Sequence, residues 1–193
     1  MVQKIIDKIV EKQIQENILK TEDESIYKYG YMLVFEVLLN ISLALIIGVL
    51  FDSLRDILFF LCIYIPLRSF CGGWHADKIW KCTFVSNVIF VIEIFFEKYI
   101  VKYIDIWELL VIFFIGIIII FLMAPVETKT KKISKKEKII YKKKIYFITM
   151  IHVIGMVVIV MFPLQNYIFI IAYAYLVQLC MMFFGKLENN INQ

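Results

Sequence analysis

Long apolar runs recur along most of the chain, from Ile26 to Phe184, with only short polar or charged stretches between them. This recurrence limits the possible folds more than any single motif does. A helix needs roughly 20 apolar residues, and at least about 17, to cross the hydrocarbon core of a bilayer. A water-soluble alternative fails on surface. The 193 residues are 62% hydrophobic and 20% charged, whereas soluble domains are roughly 45–50% apolar, and a compact fold of this size would leave the excess exposed. The expected architecture is therefore an all-α integral membrane protein, one domain over residues 1–193.

Six spanning segments are predicted: Tyr31–Leu50, Ile57–Leu67, Cys82–Phe96, Trp107–Met123, Ile145–Phe162 and Leu164–Phe184. The second and third are the shortest against the length a crossing requires, and four crossings is the alternative count. Residues 1–20 differ in kind. Ile5, Ile6, Ile9, Val10 and Ile14 recur at helical intervals opposite Lys4, Lys8, Glu11 and Lys12, the pattern of an amphipathic helix lying in the interface or packed on the rest of the protein. Mixed lysines and glutamates there also argue against a secretion signal. Thr21 followed by Glu24 resembles a capping box, so the first spanning helix is expected to start there.

The net charge is only +4, but its distribution is uneven: nine lysines lie between Lys129 and Lys144. Between two apolar segments, such a run reads as a basic cytoplasmic loop, 125–144, rather than a nucleic-acid site. Arg68, Lys78 and Lys81 follow the second segment. Because positive residues stay preferentially inside, both termini and the Arg68–Lys81 stretch are predicted to be cytoplasmic. Cys62, Cys71, Cys82 and Cys180 are too scattered for a short-spaced metal motif or a disulfide framework. With two histidines in the chain, no compact zinc site is expected, and no cofactor is implied.

The candidate chemistry lies in Arg68-Ser69-Phe70-Cys71-Gly72-Gly73-Trp74-His75-Ala76-Asp77-Lys78-Ile79-Trp80-Lys81-Cys82. An imidazole can convert a thiol to a thiolate and later protonate a leaving amine, and thiolate attack on a peptide carbonyl gives an acyl-enzyme. Spacing restricts which thiol serves. On one straight helix, residues seven apart are separated by about 10.5 Å along the axis, so His75 reaches Cys82 only if the chain between them turns. Cys71 is four residues from His75, although Gly72-Gly73 interrupts a continuous helix. On residue chemistry either cysteine could be the nucleophile, and the plainer reading is a polar inter-helix loop with inert thiols. Asp77 is close enough to tune His75, and Arg68 could fix the loop, meet an acidic group or anchor at the inner face. Glu36 and Glu93 sit within apolar runs, where an unpaired charge is costly. Asn40, Ser86, Asn87 and Gln178 suit interhelical hydrogen bonds.

Arg68, Gly72-Gly73, Trp74, His75-Ala76 and Cys82, followed by Ala124-Pro125-Val126-Glu127 and the lysine-rich stretch, resemble the AgrB family. These are membrane endopeptidases of peptide quorum-sensing systems. The resemblance covers almost the whole chain. It implies His75 as base and acid, Cys82 as nucleophile and no catalytic role for Cys71; Arg68, Gly72, Gly73 and Asp77 stand beside them as candidates for substrate binding or site support. It further implies a cysteine endopeptidase that cleaves an AgrD-like precursor near its C-terminal part and passes the acyl group on to form a thiolactone or lactone. The implied partners are that precursor, membrane lipids and, as a possibility of the family, a second copy of the chain. The alternative is a non-enzymatic peptide transporter or membrane adaptor, for which dependence on Cys82 would be unexpected.

Overall fold

The computed structural model describes residues 2–74, 79–127, 133–162 and 164–191. Seven α-helices occur among them: α1 (Val2–Gln15), α2 (Glu24–Leu50), α3 (Leu54–Cys71), α4 (Ile79–Tyr99), α5 (Ile106–Met123), α6 (Lys135–Met161) and α7 (Gln165–Ile191). The chain divides into two compact units, Met1–Ala44 and Leu45–Gln193.

In the first unit, α1 is shorter than the expected 1–20. Asn17, in the left-handed conformation (φ 55°), lies just past its end, a residue tolerant of that geometry. Ile6 and Val10 are buried, while Ile5 and Ile9 on the same helix are 54% and 42% exposed. Lys28 of α2 pairs with Asp7 at 3.0 Å and with Glu24 at 2.7 Å, and Gln13 donates to the Tyr31 hydroxyl at 2.8 Å. One side of α1 thus packs on the start of α2, and part of its apolar face remains uncovered. The expected Thr21–Glu24 capping box gives way to a short 3-10 turn, Thr21–Asp23, whose N-cap is Lys20 and has no side-chain cap bond. The capping box lies at α6 instead. There Ser134 accepts from the Glu137 amide and Glu137 accepts from the Ser134 amide. The lysine stretch expected as a loop over 125–144 is consequently helical from Lys135 onward.

Among the described residues, four helices are long and apolar enough to cross a membrane: Thr21–Leu50, Ile106–Met123, Lys135–Met161 and Gln165–Glu188. These mark a membrane protein. The helices over the predicted second and third segments are not among the four. Helix α3 carries Arg55, Asp56 and Arg68, and α4 carries Lys81, Glu93, Glu97 and Lys98.

Helix α7 is the centre of the second unit, touching α3, α4, α5 and α6. Apolar burial gains little when the alternative surroundings are lipid, so close packing and hydrogen bonds must hold such helices together. Tyr175 illustrates both. A Cβ on Gly116 of α5 would lie only 3.1 Å from its side chain. Its ring meets Phe113 edge-on at 4.8 Å, and its hydroxyl lies 3.0 Å from His152 Nδ1 of α6. His152 is therefore an inter-helix partner within the core.

Candidate active site

Helix α3 ends at Cys71 because the next residue leaves helical space. Gly72 has φ +70° and ψ −155°, and Gly73 has φ +123°; side chains are strongly disfavoured in both conformations. Space excludes them as well. A Cβ on Gly72 would overlap the carbonyl oxygen of Val126, and one on Gly73 would come within 2.6 Å of the Arg68 guanidinium and 2.8 Å of the Met181 carbonyl oxygen.

Three elements clamp the strap Gly72-Gly73-Trp74. From α3, Arg68 folds back and donates to the carbonyl oxygens of Gly72, at 2.6 Å, and Trp74. A planar fork presents separate N–H groups to the two acceptors in a fixed geometry, which the single rotating ammonium of a lysine does not reproduce. From α7, Gln178 Nε2 donates to the same Gly72 carbonyl at 2.9 Å, and the Met181 carbonyl accepts from the Trp74 amide at 2.6 Å. The third support is the segment after α5. Val126 donates its amide to the Cys71 carbonyl at 2.9 Å and forms an isolated parallel bridge with Gly72. The Ala124–Glu127 stretch and the glycine pair, about fifty residues apart in sequence, are thus in direct contact.

The contact with α7 depends on Gly185. A carbonyl inside a helix already serves its own i+4 amide, but its oxygen has a second lone pair. The Trp74 amide reaches that oxygen on Met181 because Gly185 has no side chain: a Cβ there would lie 2.5 Å from Trp74 N and 2.6 Å from Gly73 C. From sequence Gln178 is expected only as an interhelical bond former, and nothing local marks Gly185. The available signal was their seven-residue spacing, which places both on one face of α7.

A family model, accessory gene regulator B (AgrB), matches residues 2–183. The chain belongs to this family. An AgrB-like protein, number 2, of Clostridium perfringens strain 13 is 33% identical over 146 residues, and another from strain SM101 is 32% identical over the same length. Each alignment covers 71% of this chain but 66% of the relative, so the chain spans just under two thirds of these relatives' length. Protein FsrB of Enterococcus faecalis strain OG1RF is 39% identical over 64 residues, covering 33% of this chain and 26% of FsrB. No solved structure matches.

The two cysteines near the glycine pair differ sharply in surroundings. Cys71, the last residue of α3, has no exposed surface. Cys82 is half-buried in the first turn of α4. It shares a helix face with Val85 and Ile89, at spacings of three and seven. Those two residues line a groove of about 800 Å³ whose other walls include Trp74, Tyr173, Cys180 and Leu187. Cys82 therefore lies one turn before the point where α4 enters the groove. His75 and Asp77, the other residues singled out with it, fall outside the described residues.

Other polar groups are accounted for differently. Glu93 is completely buried, and neither carboxylate oxygen has a hydrogen-bond partner among the described residues. Glu36 Oε1 and Asn40 Oδ1 on α2 are likewise buried without partners among them. Asn87 donates to the Thr83 carbonyl one turn earlier at 2.8 Å, a bond within α4 rather than between helices. Among the described residues, no group of three or more His, Cys, Asp or Glu side chains is placed to hold a metal ion.

Proposed function

We propose that this AgrB-family protein is a membrane-embedded cysteine endopeptidase that cleaves an AgrD-like signal precursor and supports its cyclisation for quorum sensing. The observation that carries the reading is the clamped strap Gly72-Gly73-Trp74, ending beside a groove that α4 approaches one turn past Cys82. A segment held from three sides gives His75, the residue that follows Trp74, a fixed point of departure. Preorganisation of this kind is what proton transfer at a reacting centre requires.

In this mechanism the precursor's apolar segment occupies the groove along Trp74, Val85 and Ile89, and its scissile carbonyl meets Cys82. His75 takes the thiol proton as sulfur attacks the carbonyl carbon, and the tetrahedral oxygen is held by first-turn amides of α4, which have no intrahelical acceptors. Collapse breaks the C–N bond, the proton passes from His75 to the leaving amine, and a thioester to Cys82 remains. A thiol or hydroxyl of the precursor then attacks that thioester. Its proton returns through His75 to the Cys82 sulfur, and a thiolactone or lactone is released. Asp77 orients His75. A site walled by apolar side chains favours this intramolecular transfer over attack by water. The topology belonging to this reading has α2–α7 as six crossings and both termini cytoplasmic, placing the strap at the inner boundary beside the lysine-rich start of α6.

The test reconstitutes Cys82→Ala and Cys71→Ala proteins with the precursor and follows cleavage, ring closure and covalent adducts by intact mass. Loss of both cleavage and adduct in Cys82→Ala, with both retained in Cys71→Ala, is expected. Normal cleavage by Cys82→Ala would sink the mechanism, and a wild type that neither cleaves the precursor nor forms an adduct would leave transport or adaptor function as the better reading.

A further inference from the structure

The lysine-rich start of α6 changes abruptly to apolar residues at Ile145. At that boundary Phe70 of α3 joins Lys143, Lys144, Phe147 and Ile148 of α6 around a cavity of about 400 Å³. The two lysines precede the two apolar residues by four positions each, so the charged groups stand one turn above an apolar floor on the same helix face. The Lys144 ammonium lies 4.6 Å from the centre of the Phe70 ring, close enough for the ring face to hold a cation in place.

The floor continues past the cavity. Phe147, Ile151, Ile154 and Val158 are all exposed, and their spacings of four, three and four keep them in one stripe along α6. At 1.5 Å per residue the stripe is roughly 16 Å long, about half of the ~30 Å hydrocarbon core. One leaflet's acyl chain has that depth. A cationic pair over an apolar floor of this length fits an amphiphile with a negative head and a single-leaflet tail.

We propose that Lys143, Lys144 and Phe70, with the stripe from Phe147 to Val158, form a binding site for one anionic phospholipid. The head group sits on the two ammonium groups and an acyl chain runs down the stripe. A soluble acidic peptide would satisfy the lysines but leave the stripe uncovered, so the lipid accounts for more of the surface. The site does not depend on the proposed peptidase chemistry.

The test compares two double variants of equal charge. Lys143→Gln/Lys144→Gln removes the pair above the stripe, whereas Lys135→Gln/Lys142→Gln removes two lysines on other sides of α6. Purified full-length proteins are titrated with phosphatidylglycerol or phosphatidylcholine in neutral detergent, and bound lipid is counted by native mass spectrometry. Wild type and the Lys135/Lys142 variant should retain one phosphatidylglycerol in preference to phosphatidylcholine. The Lys143/Lys144 variant should bind it on the order of tenfold more weakly, given the contribution of each basic residue near an anionic surface. Equal weakening by both double variants would reduce the site to diffuse surface charge. A wild type without preference for phosphatidylglycerol, or displacement of that lipid by a soluble polyglutamate peptide, would also overturn the proposal.

Discussion

Gly185→Ala is the substitution that most directly tests the clamp on α7. The added Cβ would stand 2.5 Å from Trp74 N, 2.6 Å from Gly73 C and 3.0 Å from Gly73 Cα. All three are backbone atoms, so no side chain can rotate away. Carbon contacts settle near 3.5–4.0 Å, so the strap must retreat by roughly 1 Å. That movement weakens the 2.6 Å bond from the Trp74 amide to the Met181 carbonyl, a loss of about 1 kcal/mol. Overpacking adds about 1–3 kcal/mol, and the better helix propensity of alanine returns about 1 kcal/mol. The net expectation is a destabilisation of about 1–3 kcal/mol. Gly155→Ala in α6 provides the comparison, because a Cβ there meets nothing within 4 Å and the propensity gain stands alone, up to about 1 kcal/mol. Unfolding in mixed detergent micelles measures both variants, and hydrogen exchange reads the Trp74 amide directly. Faster exchange at Trp74 in Gly185→Ala, with none in Gly155→Ala, is expected. Processing of the precursor should fall by about a hundredfold, the scale set by a 1 Å displacement at a reacting centre. A Gly185→Ala protein as stable as wild type, with the Trp74 amide equally protected, would refute the account of the clamp.

Arg68→Lys keeps the charge but cannot reach the Gly72 and Trp74 carbonyls with one planar fork. Precursor cleavage should drop at least tenfold, while the same protein inserts and purifies normally; unchanged cleavage would assign Arg68 to interfacial anchoring. Cys71 has no exposed surface, so N-ethylmaleimide should leave it unmodified until the protein is denatured, as peptide mapping of the alkylated protein would show. Ser134→Ala removes one half of the capping box at α6 and should cost about 0.5–2 kcal/mol in unfolding experiments, with cleavage retained because Ser134 touches none of the strap.

How much could be read from the sequence depended on the range of the forces involved. The membrane class followed from apolar run length, a sum over neighbouring residues that needs no tertiary information. Some helices extend well beyond the apolar runs: α3 reaches from Leu54 to Cys71 around the predicted Ile57–Leu67, and α6 starts at Lys135, ten residues before the predicted span. Helical hydrogen bonding continues through charged residues that hydropathy alone rejects, and of the two capping-box patterns in the sequence the one at Ser134 and Glu137 forms the cap while the one at Thr21 and Glu24 gives way to a 3-10 turn.

The site divides the same way. Residue type and spacing nominated Arg68, Gly72, Gly73 and Cys82 along one stretch, because the glycine pair and the thiol carry their chemistry locally. Tertiary structure alone separated a fully covered Cys71 from a half-buried Cys82 and brought Val126, Gln178, Met181 and Gly185 to the strap. Those contacts depend on how α5 and α7 lie against the end of α3, and helix packing is decided by the fit of whole surfaces. A linear pattern can say which residues share a face; it cannot say what that face will meet.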